Sequence, residues 1–394
     1  MTAPRSLLNG IRVVEFATVL AGPAVGQFLA ELGATVIKIE PPSGDATRRW
    51  CLPSEAQHQQ EEDNQPASAY FNCVNWGKYT VSLNLNAEQD RCVFTDLIAE
   101  ADILLTNLLP HSLEKLQLRY QDLAEDYPRL IYGQISGYGP TADTAGYDAV
   151  IQAEAGLMSL NGEPTGLPTK VPIPLMDLLA AEHLRSGVLA ALFHRSRTGQ
   201  GTYVHSSLLK AGISALLNMG SSFLKTGQQP RRLGSDHPQI APYGHVFRTA
   251  GNELLLLAVG TDGQFRRLCD VLGQPQLATE TRFATNAERV SNRDALNALL
   301  QEHIQKMELK PLLSELRKCK IPAGAIHGLQ EVAELAEGYD MLLRAKSGEP
   351  LAFRHLAFDA GFAPALPLRR PPAFDQDRKL IVHKNRGSWP AASS

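Results

Sequence analysis

The sequence has no membrane-length apolar run where one would first be sought. Its opening stretch, "MTAPRSLLNGIRVVEFATVLAGPAVG", is interrupted by Arg12 and Glu15 before a signal-type core or a bilayer span develops. The expectation is a soluble, cytoplasmic protein with no membrane partner. Excess charge is missing too. The chain carries 38 Lys plus Arg against 41 Asp plus Glu, a formal net charge of −3, so no nucleic acid is expected as a partner. The five cysteines (Cys51, Cys73, Cys92, Cys269 and Cys319) form no Cys-x-x-Cys pair and have no histidine at metal spacing. This argues against structural zinc and against a disulfide framework, and it suits a reducing compartment. No metal site is expected.

The signatures of several enzyme classes are also absent. The turn after the first strand-like segment reads Gly22-Pro23-Ala24-Val25-Gly26 in place of Gly-x-Gly-x-x-Gly, which removes the main ground for expecting a dinucleotide. Gly77-Lys78 is followed by Tyr79 and lacks the upstream glycine of a Walker loop. No Gly-x-Ser-x-Gly elbow and no His-Glu-x-x-His occurs, and the eleven histidines are dispersed.

What is present is a clear alternation of periods. "IRVVEF", "TVIKIE", "KYTVSLNL", "DILLTN" and "RLIYGQIS" read as strands, and "AGPAVGQFLAELG", "EQDRCVFTDLIAEA" and "HSLEKLQL" as the helices between them. The pattern predicts an α/β fold, a doubly wound, Rossmann-like large domain with a largely parallel sheet covered on both faces. The segment "TYVHSSLLKAGISALLNMGSSFLKTG" reads as helical. "QQPRRLGSDHPQIAPYG" is rich in Pro, Gly and polar residues and reads as a linker. Beyond it, "GHVFRTAGNELLLLAVG" looks like a hairpin, and three helical segments follow, giving a smaller α+β domain. At 394 residues two domains are the default. The division is residues 1–220 for the large domain, 221–245 for the linker, 246–330 for the small domain, and 331–394 for a return to the large one.

One carboxylate stands out within an oily stretch. In "VPIPLMDLLAAEHLRSGVLAALFHRSRTGQG", Asp177 immediately precedes a helical run that begins at Leu178, ends with basic residues in its last turn, and can be closed by Gly199. From the residues alone, Asp177 is a helix N-cap, its side-chain oxygen accepting a hydrogen bond from a free backbone N–H.

Several segments taken in order change that reading. "LAGPAVGQFLAELGATVIKIEPPSGDATR", "FNCVNWGKYTVSLNL", "EADILLTNLLPHSLEKLQL", "YPRLIYGQISGYGP", "GYDAVIQAEAGLMSLNG", "ALFHRSRTGQGTYVHSSL" and "VGTDGQFRRLCDVLGQPQLATETRFATNAERVSNR" resemble the family III CoA-transferases, which include formyl-CoA transferase and the carnitine CoA-transferases and are related to the α-methylacyl-CoA racemases. The resemblance implies an interlocked, ring-like homodimer. It implies acyl-CoA and a free carboxylic acid as substrates, with no tightly bound cofactor. It also implies that Asp177 is the catalytic nucleophile, which becomes in turn a mixed anhydride and an aspartyl-CoA thioester. Carried over by position, Arg48 in "GDATR", Lys78 in "WGKYTVSL", Asn107 in "LLTN" and Lys115 in "HSLEKL" are expected to contact CoA. Leu20, Trp50 and Tyr147 are expected to border the substrate pocket.

The sequence departs from the family at informative places. Leu20 stands where formyl-CoA transferase has a glutamine, and the glycine run of that enzyme is missing from "RRLGSDHPQIAPYG", which speaks against formyl and oxalate specificity. Tyr147 stands where the racemases have a histidine; a tyrosine is a poor base near neutral pH. The alternatives are an acyl-CoA racemase or epimerase, and an acyl-CoA-binding paralogue without turnover.

Overall fold

The computed structural model describes residues 6–55, 68–345, 347–359 and 368–390. The chain divides into two compact units, one of residues 1–157, 171–221 and 336–394, the other of residues 158–170 and 222–335.

The first unit is built on six parallel strands: β1 (Arg12–Phe16), β2 (Thr35–Glu40), β3 (Lys78–Ser82), β4 (Ile103–Thr106), β5 (Ile131–Ser136) and β6 (Tyr203–Ser207). Their order is β3-β2-β1-β4-β5-β6, so the direction of winding reverses between β1 and β4. In such sheets the crevice beyond the strand carboxyl ends at the reversal is the usual binding place. Alternation along the strands serves two cores. Val13, Val36, Ile103, Leu105 and Ile131 enter one of them, while Val14, Ile37, Leu104 and Tyr132 enter the other. Both faces are thus buried, as an all-parallel sheet requires.

Helix α1 (Ala21–Glu31) follows β1, α2 (Glu88–Ala99) follows β3, and α3 (Asp148–Glu154), α4 (Leu175–Thr198) and α5 (Leu208–Ser214) follow in the second half. The acidic first turn of α2, with Glu88 and Asp90, complements the helix dipole, and Val93, Phe94, Leu97 and Ile98 supply its buried stripe. Helix α4 ends as the sequence suggested, at Gly199 with φ 75°. The segment from Thr202, read as helical throughout, instead starts with β6. Tyr203 and Val204 are good strand formers, and pairing with β5 satisfies their backbone where an isolated helix turn would not. The outer edge of β3 is covered by the chain's far end: Thr80 and Ser82 donate their N–H groups to Asp377 (3.0 Å) and Asp375 (2.7 Å). The Pro-rich stretch before it, "FRHLAFDAGFAPALPLRRPPAF", falls partly on residues 360–367, outside the described residues.

The second unit is α+β. Strands β7 (Tyr243–Arg248), β8 (Leu254–Ala258) and β9 (Ala323–Ala325) form an antiparallel sheet. Phe247, Leu255 and Leu257 pack from it against Phe265, Leu296 and Leu312 of its helices. Residues 158–170, counted with the large domain from sequence, belong here. Gly234 donates its N–H to the Gly162 carbonyl (3.1 Å), and the Arg232 guanidinium donates to the Gly166 carbonyl (2.6 Å). The stretch read as a linker at 221–245 begins in the helix Leu217–Thr226 and ends in β7.

No helix among the described residues is long and apolar enough to cross a membrane, and among them no group of acidic, histidine and cysteine side chains is arranged to hold a metal ion.

Candidate active site

Beyond the carboxyl end of β1 the chain makes a tight loop, Ala17 to Leu20, before α1. Val19 lies in the left-handed region at φ 68°, a conformation that costs a β-branched residue about 1–3 kcal/mol and persists only where the surroundings over-determine it. They do so here through three side chains. Lys38 donates to the Ala17 carbonyl (2.7 Å), Asn107 accepts from Thr18 N–H (3.0 Å) and donates to its carbonyl (2.8 Å), and Asp45 accepts from Val19 N–H (3.3 Å).

Behind the loop lies a fully buried ionic cluster. Glu15 pairs with Lys38 (3.2 Å) and Lys78 (2.7 Å), and Lys38 also pairs with Asp45 (3.1 Å). Burial alone would lower the Lys38 pKa, but the carboxylates of Glu15, Asp45 and Glu40 outweigh it and the value is raised. For Lys78 burial prevails, aided by the Lys38 charge, and pushes it down to about 8. Gly26 is required here: any Cβ on it would overlap the Glu15 carboxylate.

The four residues expected to contact CoA are placed differently from one another. Lys78 has no exposed surface, and its ammonium is spent on Glu15, Asn75 (2.9 Å) and the Pro23 carbonyl (2.8 Å), so its role as it stands is internal. Arg48 grips Glu40 through Nε (2.8 Å) and Nη2 (2.6 Å), donates to the Pro372 carbonyl (3.1 Å), and stacks over Phe71 at 3.8 Å. The Asn107 amide is the loop clamp just described. Lys115 alone of the four is solvent-exposed, in the last turn of Pro110–Leu116.

Asp177 is not an N-cap. Helix α4 starts earlier, with Pro174 at the cap position and no side-chain cap of its own, so Asp177 is the third residue of the first turn. The orphan N–H of Met176 is taken instead by Asp148 of α3, at 2.7 Å across 28 positions of chain. Asp177 is left half-buried, and no hydrogen bond to its carboxylate occurs among the described residues. Burial, with the Asp148 charge adding to it, pushes its pKa up to about 7.

Tyr70 lies within electrostatic reach of Asp177, and Trp50 packs on Tyr70. Trp50, 46% exposed, meets Tyr70 edge-on, with ring centroids 5.2 Å apart. The Tyr70 hydroxyl is raised to about 12, by burial first and then by the charge of Asp177. Tyr70 was not singled out from sequence; only its position one residue before "FNCVNWGKYTVSLNL" could have drawn attention to it. Tyr147 occupies the N-cap position of α3 without a side-chain capping bond and is exposed, and Leu20 is buried at the start of α1.

Residues 8–378 match CoA-transferase family III. The chain is 38% identical over 329 residues to the succinate–glutarate CoA-transferase of Agrobacterium fabrum, covering 82% of this chain and 81% of that one. It is 36% identical over 350 residues to the acetyl-CoA:oxalate CoA-transferase of Acetobacter aceti, covering 88% and 87%. Among solved structures, a CAIB/BAIF family protein from Brucella suis is 35% identical and superimposes with a TM-score of 0.83, covering 96% of this chain and 98% of that one.

Proposed function

Because the chain belongs to CoA-transferase family III, and is therefore an enzyme that transfers coenzyme A, we propose that it moves CoA from an acyl-CoA thioester to a free carboxylic acid through Asp177. The observation that carries this reading is a half-buried carboxylate, without a hydrogen-bond partner among the described residues, in the first turn of a helix whose capping is done by another residue. With a pKa near 7 it is ionised in a large fraction of molecules at neutral pH, and it is more basic, hence more nucleophilic, than an ordinary carboxylate.

A carboxylate oxygen of Asp177 attacks the thioester carbonyl, the C–S bond breaks, and CoA leaves as thiolate. The product is a mixed anhydride. The thiolate attacks the Asp177 side-chain carbonyl and the anhydride C–O bond breaks, so the first acid departs and an aspartyl-CoA thioester remains. An incoming carboxylate attacks that thioester and expels the thiolate. The thiolate then attacks the acyl carbon of the new anhydride and regenerates the Asp177 carboxylate. One thioester is exchanged for another, and the sequence of steps needs neither oxidant nor ATP.

Short dicarboxylic acids are the acceptor class we propose. The name of the Agrobacterium enzyme, with succinate and glutarate, supports this choice. The interlocked homodimer implied by the resemblance belongs to the same reading.

The test is mass spectrometry after incubation with a panel of acyl-CoA thioesters and hydroxylamine. A hydroxamate on the peptide bearing Asp177, and loss of exchange in Asp177→Ala, are expected. An Asp177→Ala enzyme retaining most of its activity would overturn the assignment.

A further inference from the structure

The first turn of α4 has a contradictory requirement. Its N–H groups need acceptors, yet the acid nearest to them in sequence is the one proposed as nucleophile. A carboxylate engaged as a cap would be tied down by the very bond that satisfies the helix.

The fold resolves this with a second helix. Asp148 sits in the first turn of α3. One oxygen, Oδ1, accepts from Met176 N–H (2.7 Å), and the other, Oδ2, accepts from the amide of Gln152 (2.7 Å), one helical turn further along α3. Gln152 is completely buried. Its Oε1 accepts from Val171 N–H (2.8 Å), and its Nε2 also donates to the carbonyls of Val171 (3.2 Å) and Ile173 (3.4 Å). The two side chains together hold the main chain at 171, 173 and 176, which is the whole approach to Asp177.

We propose that Asp148, locked by Gln152, is the positioning residue of the nucleophile: it supplies from a neighbouring helix the cap that α4 lacks, and so leaves the Asp177 carboxylate free and fixed for attack. The inference rests on the Asp177 reading and adds to it. The partners of the Asp148 carboxylate are Met176 N–H and the Gln152 amide, and its charge is also felt at Asp177. Asp148 acts through Met176, and its loss changes the orientation of Asp177 while the CoA contacts stay as they are. Misplacement of a reacting group by about 1 Å is enough to cost about 100-fold in rate.

The experiment is steady-state CoA exchange with Asp148→Ala, Asp148→Asn and Gln152→Ala, each checked for folding by circular dichroism. Asp148→Ala is expected to lower kcat by about 10- to 100-fold with KM for the acyl-CoA nearly unchanged. Asp148→Asn keeps an oxygen acceptor for Met176 N–H but turns its own amide N–H groups toward the Gln152 amide, and is expected to recover only part of that loss, as is Gln152→Ala, which keeps the Asp148 acceptor but removes its lock. A kcat in Asp148→Ala within about twofold of wild type overturns the proposal, as does a change confined to KM. Should Asp148→Ala fail to fold, a Gln152→Ala enzyme with a kcat within about twofold of wild type overturns it, because the lock on Asp148 is then gone without effect. Trapping of the wild-type hydroxamate reports separately on whether Asp177 is the nucleophile.

Discussion

Replacing Asp177 by Asn should make the protein inactive and at the same time more stable. In the folded state the Asp177 pKa is raised from 3.8 to about 7. At about 1.4 kcal/mol per unit, holding the ionised form in the fold costs about 4 kcal/mol at pH 8, or about 2 kcal/mol once water around a half-buried carboxylate is allowed for. The sign follows from proton linkage. Below pH 4 the acid is protonated in both states and there is no cost. Between pH 4 and 7 the unfolded chain releases a proton that the folded chain keeps, so stability falls as pH rises, and above pH 7 the loss is complete. Asn has the same shape and no such titration. Urea unfolding of both proteins at pH 4, 6 and 8 should show a gain for Asp177→Asn that is below about 1 kcal/mol at pH 4 and grows to about 2–4 kcal/mol at pH 8. A gain independent of pH, or an Asn variant less stable than wild type at pH 8, would refute the reasoning. The outcome expected is a trade of stability for activity at one side chain.

Two further predictions concern the cluster beneath the Val19 loop. Lys78→Ala leaves the buried Glu15 carboxylate with Lys38 alone, and should cost about 3–5 kcal/mol in chemical unfolding. Wild-type stability together with a loss confined to CoA affinity would restore Lys78 as a ligand contact. Gly26→Ala puts a methyl group onto the Glu15 carboxylate and forces α1 away from the sheet, at about 1–3 kcal/mol; an unchanged urea midpoint would show that the helix has room to spare.

Much of this protein is readable along the chain. The periods of "IRVVEF", "TVIKIE" and "DILLTN" report strands because burial on both faces of a parallel sheet demands continuous apolar runs. Gly199 ends α4 because a left-handed residue is needed there, a requirement met within one turn of helix. Asp177 was conspicuous as an acid opening a long apolar helix, and its ordered neighbours pointed to a chemistry. These features are local, or are patterns of order, and survive in a one-dimensional string.

What the chain alone left open depends on partners far apart in sequence. That Asp148 and not Asp177 caps α4 is decided by a hydrogen bond spanning 28 residues. Whether Lys78 meets a phosphate or a buried glutamate is decided by where β1 and β3 lie relative to α1, because an ammonium reads the same in sequence whether it ends in water or in a core. Sequence determined which segments bury apolar surface and which acid was worth suspecting. Tertiary structure decided which polar atoms are already satisfied, since a hydrogen bond or an ion pair depends on the distance between two groups in space, and among the described residues it left the Asp177 carboxylate without a hydrogen-bond partner.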